Sequence, residues 1–364
     1  MSAGTVAIVG AGLAGARAAE TFRAEGFDGR VVLIGEEPVA PYERPALSKE
    51  FLAGTRDESS LLLRKPSFWE DRGIELVLGE RVIELDAVGR VARTARGHEI
   101  RFDDLVLATG ARPRRLPLAL PEGVHELRTL ADARALRDEL VPGARLVVIG
   151  GGFVGAEVAS TASALGVDVT IVEAAPAPVA RLLGDRVGRL LAARWRSRGV
   201  RVLLRTGLAH LRADASGRVV SLLLTDGTEL RADVVVVAVG VEPAQELMPE
   251  RPARHVHPAG DITGSGHWTA AALDGARAAR RILGLADPDP QPAYVWSDQF
   301  GLRLQLVGTP RPDDECDLAG DDESFAAHYL DETGGLRAVL LANRPAEVAA
   351  ARLRLGESMR ALAA

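Results

Sequence analysis

The stretch Val6-Ala-Ile-Val-Gly10-Ala-Gly12-Leu-Ala-Gly15 contains an apolar run, a G-x-G-x-x-G turn and the start of an alanine-rich segment. The same pattern returns about 140 residues later as Leu146-Val-Val-Ile-Gly150-Gly-Gly152-Phe-Val-Gly155. In such a motif the first glycine permits a tight turn, the second lets a pyrophosphate approach the backbone, and the third lets helix and strand pack closely. The helix N-terminus then offers free N–H groups to the phosphates. Each copy therefore predicts a dinucleotide-binding strand–turn–helix unit.

An acidic residue follows each glycine turn at the end of a second apolar run. Glu36 lies 26 residues after Gly10, and Glu173 lies 23 residues after Gly150. A carboxylate at this distance accepts hydrogen bonds from the ribose hydroxyls in the adenosine half of a dinucleotide. At the second site it would also repel the 2′-phosphate of NADPH, so Glu173 favours NADH. Two dinucleotides in one chain suit hydride transfer from a nicotinamide to a flavin.

Composition limits the other function classes. A formal net charge of -6 indicates no excess of positive charge of the kind that binds nucleic acid. The single cysteine, Cys316, excludes a disulfide framework and an intramolecular redox dithiol. No apolar run reaches the roughly 18 residues of a membrane-spanning helix, and no signal peptide is recognisable. We therefore expect a soluble, cytoplasmic protein with no membrane partner, no nucleic-acid partner and no metal site.

The order of the apolar runs predicts an α/β fold with two Rossmann-like domains and a small C-terminal α+β domain. Continuous runs without alternation, such as Leu105–Ala108 and Val234–Val239, are typical of strands in parallel sheets. The predicted domains comprise residues 1–112 with 240–290, residues 113–239, and residues 291–364.

The last 70 or so residues show a different pattern. Leu302, Leu304 and Leu306 alternate with polar residues, which predicts a half-buried antiparallel strand. Two further strands are expected near 325–330 and 336–341, and the segment from Pro345 onward is expected to be helical.

Short motifs along nearly the whole chain match one family. They are Pro41-Tyr-Glu-Arg44-Pro45-Ala-Leu-Ser-Lys49, Ala108-Thr-Gly110-Ala-Arg112-Pro, Leu127-Arg128-Thr-Leu, Ala259-Gly-Asp261, His267-Trp268 and Trp296-Ser-Asp-Gln299. With them the chain resembles the FAD-dependent NADH:ferredoxin reductases, the type that includes putidaredoxin, rubredoxin and biphenyl dioxygenase reductases. The resemblance implies two Rossmann-like domains of the glutathione-reductase type, one for FAD and one for NADH.

The resemblance also implies which residues meet each cofactor. The implied FAD site comprises Gly10, Gly12, Leu13, Ala14, Gly15, Glu36, Arg44, Lys49, Val82, Ala108, Thr109, Gly110, Arg128, Asp261, Trp268 and Trp296. The implied NADH site comprises Gly150, Gly152, Phe153, Val154, Gly155, Glu157, Glu173 and Gly240.

Three of these residues are implied to take part in the chemistry. Arg44 and Lys49 would lie beside the flavin, with the Lys49 ammonium near N5, and Glu157 would lie near the nicotinamide. A cation beside N5 stabilises the negative charge of a reduced flavin.

Several assigned residues have a simpler structural interpretation. Lys49 could be an exposed lysine at a helix start, Arg44 a surface ion-pair partner, and Asp261 a turn residue. Trp296 could anchor the core of the small domain. Glu157 could be a polar residue in the first turn of a helix, where the dipole favours it.

The implied activity is hydride transfer from NADH to FAD, followed by single-electron transfer to an acidic 2Fe–2S ferredoxin that supplies an oxygenase. Two alternatives remain open at this point: an NADH oxidase or biosynthetic flavoenzyme with a small-molecule acceptor, and an NADH-sensing flavoprotein that acts through a binding partner. Cys316 lies among acidic residues, and we expect an exposed, unreactive thiol.

The segment between Val241-Glu-Pro243 and Ala259-Gly-Asp261 is shorter than the family pattern. Residues 244–258 leave no room for the expected β-hairpin, and His255-Val-His257-Pro258 does not look like an apolar strand. We therefore expect an exposed sheet edge or helix face here. Nearby, Arg277, Arg280 and Arg281 share one face of a predicted helix. They form a candidate docking patch, with an ordinary solvated face as the alternative.

Overall fold

Residues 4–363 are described in the structure, a computed structural model, and side chains are described for residues 4–357. The helices are α1 (Leu13–Ala24), α2 (Glu58–Leu61), α3 (Pro66–Asp71), α4 (Leu130–Glu139), α5 (Phe153–Ala164), α6 (Ala180–Ser197), α7 (Trp268–Ile282) and α8 (Val348–Ala363). Short 3-10 turns span Arg44–Ser48, Gly260–Thr263 and Pro345–Glu347.

The strands follow in chain order. They are β1 (Thr5–Val9), β2 (Arg30–Gly35), β3 (Ile74–Leu78), β4 (Val82–Asp86), β5 (Val91–Thr94), β6 (Glu99–Arg101), β7 (Asp104–Leu107), β8 (Ala111–Pro113), β9 (Val124–His125), β10 (Arg145–Ile149), β11 (Asp168–Glu173), β12 (Arg201–Leu204), β13 (Leu208–Ala213), β14 (Val219–Leu224), β15 (Glu229–Arg231), β16 (Val234–Val237), β17 (Val241–Pro243), β18 (Val256–Pro258), β19 (Tyr294–Gln299), β20 (Leu302–Gly308), β21 (Glu315–Gly320), β22 (Phe325–Leu330) and β23 (Leu336–Ala342).

The chain divides into two compact units. The first comprises the residues up to Glu43, Glu58–Arg112 and Val241–Asp289, and the second comprises Arg44–Asp57, Pro113–Gly240 and the residues from Pro290 onward. Arg44–Asp57 belongs to the second unit although it interrupts the first along the chain, because it is hydrogen-bonded to α5 through the Thr161 hydroxyl and the Ser48 carbonyl (2.8 Å). The division into three domains stays a prediction.

The first unit is built on a parallel sheet in the order β18–β7–β1–β2–β3. Alternate residues of β1 face opposite sides: Val6 and Ile8 pack in the core that includes α1 and α7, whereas Ala7 and Val9 pack in the core that includes β4–β6. Because both faces are covered, β1 is apolar at nearly every position.

The second unit repeats this arrangement in the order β12–β11–β10–β16–β9, again parallel. Leu146 and Val148 of β10 face α5 and α6, while Val147 and Ile149 face the antiparallel β13–β14–β15 sheet. The predicted α/β class with two Rossmann-like sheets is confirmed.

A separate antiparallel sheet in the second unit has the order β19–β20–β23–β22–β21, with α8 packed on one face. β20, β22 and β23 match the predicted strands, as α8 matches the predicted helix, whereas β19 and β21 were not predicted. The prediction that β20 is half-buried is wrong, because α8 covers the face of the strand that was expected to be polar. Gln305 on that face is buried and donates to the Tyr294 hydroxyl (2.7 Å).

The shortened segment keeps a sheet strand despite its composition. Residues 244–255 contain no strand, but Val256–Pro258 forms β18, and the Leu105 amide of β7 donates to the His255 carbonyl (2.8 Å). The run His255-Val-His257-Pro258, which does not look like an apolar strand, thus contributes the edge strand of this sheet, because Val256 is buried in the same core as β7. The expectation of an exposed sheet edge or helix face stays a prediction. No helix among the described residues is long and apolar enough to cross a membrane.

An ion pair joins the starts of β10 and β16. Arg145 donates its amide (2.9 Å) and Nε (2.9 Å) to Asp233 Oδ2, and its Nη2 to Oδ1 (2.5 Å). The Arg145 guanidinium holds the pKa of the Asp233 carboxyl at about 2, below its usual range. Both side chains are more than a third exposed, so solvent weakens the pair.

Replacing Asp233→Asn should lower the free energy of unfolding by about 1 kcal/mol near neutral pH, because it removes the charge from a paired but exposed site. The folded pKa is depressed, so the stabilisation is present above the unfolded pKa of about 3.9 and is lost as the pH falls toward 2. Urea unfolding of parent and variant should therefore differ less at pH 3 than at pH 7. Asp71→Asn, at an exposed site in α3, is the control. A difference that is constant with pH would contradict this account.

Candidate dinucleotide and redox sites

The first glycine turn joins β1 to α1, and its glycines have different surroundings. A Cβ at Gly10, which has a φ of +114°, would lie 2.0 Å from the Ala108 carbonyl oxygen, and one at Gly15 would lie 2.0 Å from the Gly10 carbonyl oxygen. A Cβ at Gly12, just before α1, would meet nothing within 4 Å. Gly10 and Gly15 thus serve the packing of the protein itself, whereas Gly12 leaves open space at the helix N-terminus.

The second glycine turn, between β10 and α5, has the same arrangement. A Cβ at Gly150 (φ +107°) would lie 2.4 Å from the Ala238 carbonyl oxygen, and one at Gly155 would lie 2.3 Å from the Gly150 carbonyl oxygen. Gly152 again meets nothing within 4 Å. Each turn therefore has an open backbone before a helix start, which fits a pyrophosphate.

The two predicted ribose carboxylates lie at the expected strand ends but have different partners. Glu36 follows β2, and its side chain is 68% exposed, with Arg81 Nη1 3.7 Å away. Glu173 ends β11 and accepts hydrogen bonds from the backbone amides of Gly151 and Ala175, both at 2.7 Å. A carboxylate oxygen has more than one acceptor position, so Glu173 can accept a hydroxyl as well.

The start of α1 packs tightly against the segment that carries Asp261. Leu13 and Ala14 form the first residues of α1, and a Cβ at Gly260 would lie only 2.7 Å from the Ala14 Cβ. Asp261 follows in the 3-10 turn, and Trp268 begins α7. The structure thus brings Asp261 to the same end of the first sheet as the glycine turn.

The remaining residues assigned to FAD in the first unit lie at the ends of β7 and β4. Thr109 donates its hydroxyl to the Ala244 carbonyl (2.7 Å), and the Ala244 amide donates to the Gly110 carbonyl (3.0 Å). The shortened segment is thereby anchored beside Ala108 at the glycine turn. Val82 is buried and pairs with β5.

Lys49 and Glu157 form a buried ion pair within the second unit. Lys49 Nζ lies 2.7 Å from Glu157 Oε2, and the two side chains are 11% and 6% exposed. Lys49 also donates to the Pro45 carbonyl (3.0 Å). The interpretation of Lys49 as an exposed helix-start lysine is therefore wrong, and Glu157, in α5, has a specific charged partner.

The other residues assigned in the second unit lie on several elements. Arg44 begins a 3-10 turn, and its Nη1 donates to the Arg128 carbonyl (2.5 Å). Trp296 lies in β19 with its ring stacked on that of Tyr294 at 6.0 Å. Phe153 and Val154 begin α5, and Gly240, with a φ of +102°, follows β16.

Two residues beside Glu157 were not identified from the sequence. Ser48 Oγ donates to Glu157 Oε2 (2.6 Å), and Ser297 Oγ donates to Oε1 (2.7 Å). Both serines lie inside the quoted motifs, but nothing in a serine's immediate neighbours indicates a partner more than 100 residues away.

Cys316 lies in β21 and is half-buried, so the expectation of an exposed thiol is wrong. Burial raises the pKa of the Cys316 thiol; Arg186 lowers it, and Asp317 raises it further. The expected direction is correct, but burial is the larger cause. The thiol is thus a poor nucleophile at neutral pH.

The candidate docking patch on α7 is largely neutralised. Arg277 lies 3.8 Å from Asp274, Arg281 lies 2.6 Å from Asp287, and Arg280 pairs with Glu25. The three arginines were predicted to share one face, and their acidic partners are Asp274 within α7, Asp287 in the segment after α7 and Glu25 at the end of α1. This face therefore offers little unpaired positive charge.

Comparison with known proteins gives consistent similarities along the chain. The sequence model of the pyridine nucleotide-disulphide oxidoreductase family matches residues 4–263, and that of a reductase C-terminal domain matches residues 294–364. The biphenyl dioxygenase system ferredoxin–NAD(+) reductase component of Paraburkholderia xenovorans is 36% identical over 88% of this chain and 85% of its own length. Rubredoxin–NAD(+) reductase of Pseudomonas putida is 33% identical over 89% and 92%. Putidaredoxin reductase, solved in covalent complex with putidaredoxin, has a TM-score of 0.91 at 30% identity, over 97% and 93%.

The surroundings of the glycines predict different effects of the same substitution. Gly15→Ala should lower the free energy of unfolding of the nucleotide-free protein by about 2 kcal/mol, because the new Cβ overlaps the Gly10 carbonyl. Gly12→Ala should change it by less than about 0.5 kcal/mol, because the new Cβ enters open space. Urea unfolding measures both, and equal destabilisation would contradict this distinction.

Proposed function

The chain belongs to the pyridine nucleotide-disulphide oxidoreductase family, and on that premise we propose that it is an NADH:ferredoxin reductase. The proposed reaction moves hydride from NADH to FAD and then single electrons to an acidic 2Fe–2S ferredoxin that supplies an oxygenase. The observation that carries this proposal is the duplicated glycine turn, each copy with an open helix start. The names of the relatives, which include ferredoxin and rubredoxin reductases, support the class of acceptor.

In this proposal the two turns bind different dinucleotides. The turn at Gly12 would hold the pyrophosphate of FAD, with Glu36 for the ribose and Asp261 beside the same turn. The turn at Gly152 would hold NADH, with Glu173 for its ribose. FAD supplies a two-electron acceptor for the nicotinamide hydride and a one-electron donor for an iron–sulfur cluster.

Lys49 would supply a fixed positive charge. The Lys49 ammonium is bound to Glu157 and to the Pro45 carbonyl, so its position is well defined. An ammonium held beside the flavin would stabilise negative charge on its reduced form without reorganisation. Arg44, bonded to the Arg128 carbonyl, would add a second cation.

The acceptor is proposed to be external because the chain has a single cysteine. A disulfide substrate would need a thiol pair or a reactive thiolate. Cys316 is half-buried, and its pKa is raised by that burial. Electrons would therefore leave from the cofactor to a separate carrier.

Anaerobic stopped-flow with NADH and NADPH tests this proposal directly. The parent should be yellow and should be bleached faster by NADH than by NADPH. Gly12→Ala should purify with little flavin, whereas Gly152→Ala should stay yellow and be bleached about tenfold more slowly at low NADH, because its Cβ occupies the open backbone of the second turn.

Three results would overturn parts of the proposal. If the unsubstituted protein cannot be loaded with FAD, the proposed assignment as an enzyme is wrong. Loss of flavin in Gly152→Ala instead of Gly12→Ala would exchange the two sites. The third result comes from an assay with cytochrome c as the final electron acceptor. If its reduction is the same with and without an added 2Fe–2S ferredoxin, and if oxygen is consumed rapidly, the acceptor of the enzyme is oxygen.

Glu173 should determine the choice between NADH and NADPH. Glu173→Gln removes the negative charge but keeps an acceptor and a similar shape, so the ratio of kcat/KM for NADH over NADPH should fall about tenfold. Asp168→Asn, at the exposed opposite end of β11, is the matched control and should leave the ratio unchanged. If the ratio of kcat/KM for NADH over NADPH is unchanged in Glu173→Gln, the Glu173 carboxylate does not contact the bound nucleotide.

A further inference from the structure

We propose that Ser297 and Gln299 of β19 are positioning residues that hold the Glu157 carboxylate and, through it, the Lys49 ammonium. The relay Trp195–Gln299–Ser297–Glu157–Lys49 lies within the second unit. The effect of this relay on the flavin rests on the proposed function, but the positioning of Glu157 and Lys49 by the relay does not.

Donors from separate segments meet at the Glu157 carboxylate. Oε2 accepts from Lys49 Nζ (2.7 Å) and Ser48 Oγ (2.6 Å), and Oε1 accepts from Ser297 Oγ (2.7 Å). Glu157 is 5% exposed and Ser297 is fully buried. A carboxylate in such surroundings requires hydrogen-bond donors, because burial of an unsatisfied charge is strongly unfavourable. Ser297 thus determines where Oε1 points, which leaves Oε2 facing Lys49.

The direction of the relay follows from the chemistry of its first member. The indole nitrogen of Trp195 can only donate, so the atom of Gln299 that lies 2.9 Å from it must be the amide oxygen. The Gln299 amide nitrogen then donates to Ser297 Oγ (3.0 Å). Ser297 Oγ accepts this hydrogen bond, and its single hydroxyl proton is donated to Glu157 Oε1. Every donor in the relay is therefore oriented toward the carboxylate.

The backbone places these groups with little freedom. Ser297 and Gln299 are alternate residues of β19, so both side chains project from the same face of the strand. The end of β19 is tied to α5 because the Phe300 amide donates to Ser160 Oγ (2.7 Å), one turn of helix from Glu157. The Lys49 segment is tied to the same helix by Thr161 Oγ1, which donates to the Ser48 carbonyl (2.8 Å).

The composition of the chain makes Lys49 easy to observe. Of the 44 lysine and arginine residues, only Lys49 and Lys65 are lysines. Lys65 is exposed, whereas the Lys49 side chain is 11% exposed. Protein carrying ¹⁵N at lysine Nζ should thus show a slowly exchanging ammonium signal for Lys49, and Lys65→Arg identifies it.

The test is Ser297→Ala in the full-length, FAD-loaded protein. The change leaves Oε1 of Glu157 without its donor, so the Lys49 ammonium signal should shift, and its hydrogen exchange with water should accelerate about tenfold. The flavin midpoint potential should become more negative, because a less well-held cation stabilises reduced flavin less. The kcat with NADH should fall about tenfold while KM changes less than about twofold, since the nucleotide turn is untouched.

Ser221→Ala is the matched control, because Ser221 is also buried in the second unit and donates to a glutamate, Glu229 Oε1, at 2.8 Å. It should leave the Lys49 signal and the potential unchanged. Ser297→Thr keeps the hydroxyl and should restore both. If Ser297→Ala does not fold, Gln299→Met breaks the relay one step earlier and should shift the same signals in the same direction.

The outcomes separate this inference from the proposed function. An unchanged Lys49 signal in Ser297→Ala, or equal changes in Ser221→Ala, would overturn the positioning role. A changed Lys49 signal with an unchanged flavin potential would support the positioning role and would remove Lys49 from the flavin in the proposed function.

Discussion

Both Rossmann-like sheets depend on a close approach between two backbone segments. At Gly10 the carbonyl of Ala108, and at Gly150 the carbonyl of Ala238, occupies the place that a Cβ would need. This contact lets the neighbouring strand, β7 in the first sheet and β16 in the second, end directly beside the turn. The helix N-terminus, the turn and the end of that neighbouring strand therefore share one edge of the sheet. That edge is where an open α/β sheet binds its ligand.

The second unit is organised by a different constraint, the burial of an ionised carboxylate. Glu157 requires donors, and it obtains them from the Lys49 segment and from β19. Each donor brings its own segment onto α5. Together with the hydrogen bond from the Thr161 hydroxyl to the Ser48 carbonyl, these contacts hold Arg44–Asp57 in the second unit, although along the chain it lies inside the first. The requirement for donors also joins the antiparallel sheet to a residue assigned to the redox site.

Features encoded by neighbouring residues could be predicted from the sequence. The glycine spacing identified both turns, and the apolar runs identified the strands that flank Glu36 and Glu173. Prediction failed where the structure depends on distant partners. β18 forms around one buried valine, Gln305 is buried because α8 covers it, and Arg280 of α7 is paired with Glu25. Periodicity within one segment carries no information about such partners.

The sequence by itself determined the α/β class and the two glycine turns. These follow from the conformational freedom of glycine and from the period of apolar residues, which are local properties, whereas the candidate site residues were implied by the resemblance to a family. Only the tertiary structure decided that Lys49 is buried against Glu157 and that Ser297 donates to the same carboxylate. Those contacts join residues 108 and 140 positions apart, and the geometry of packed helices and strands selects them.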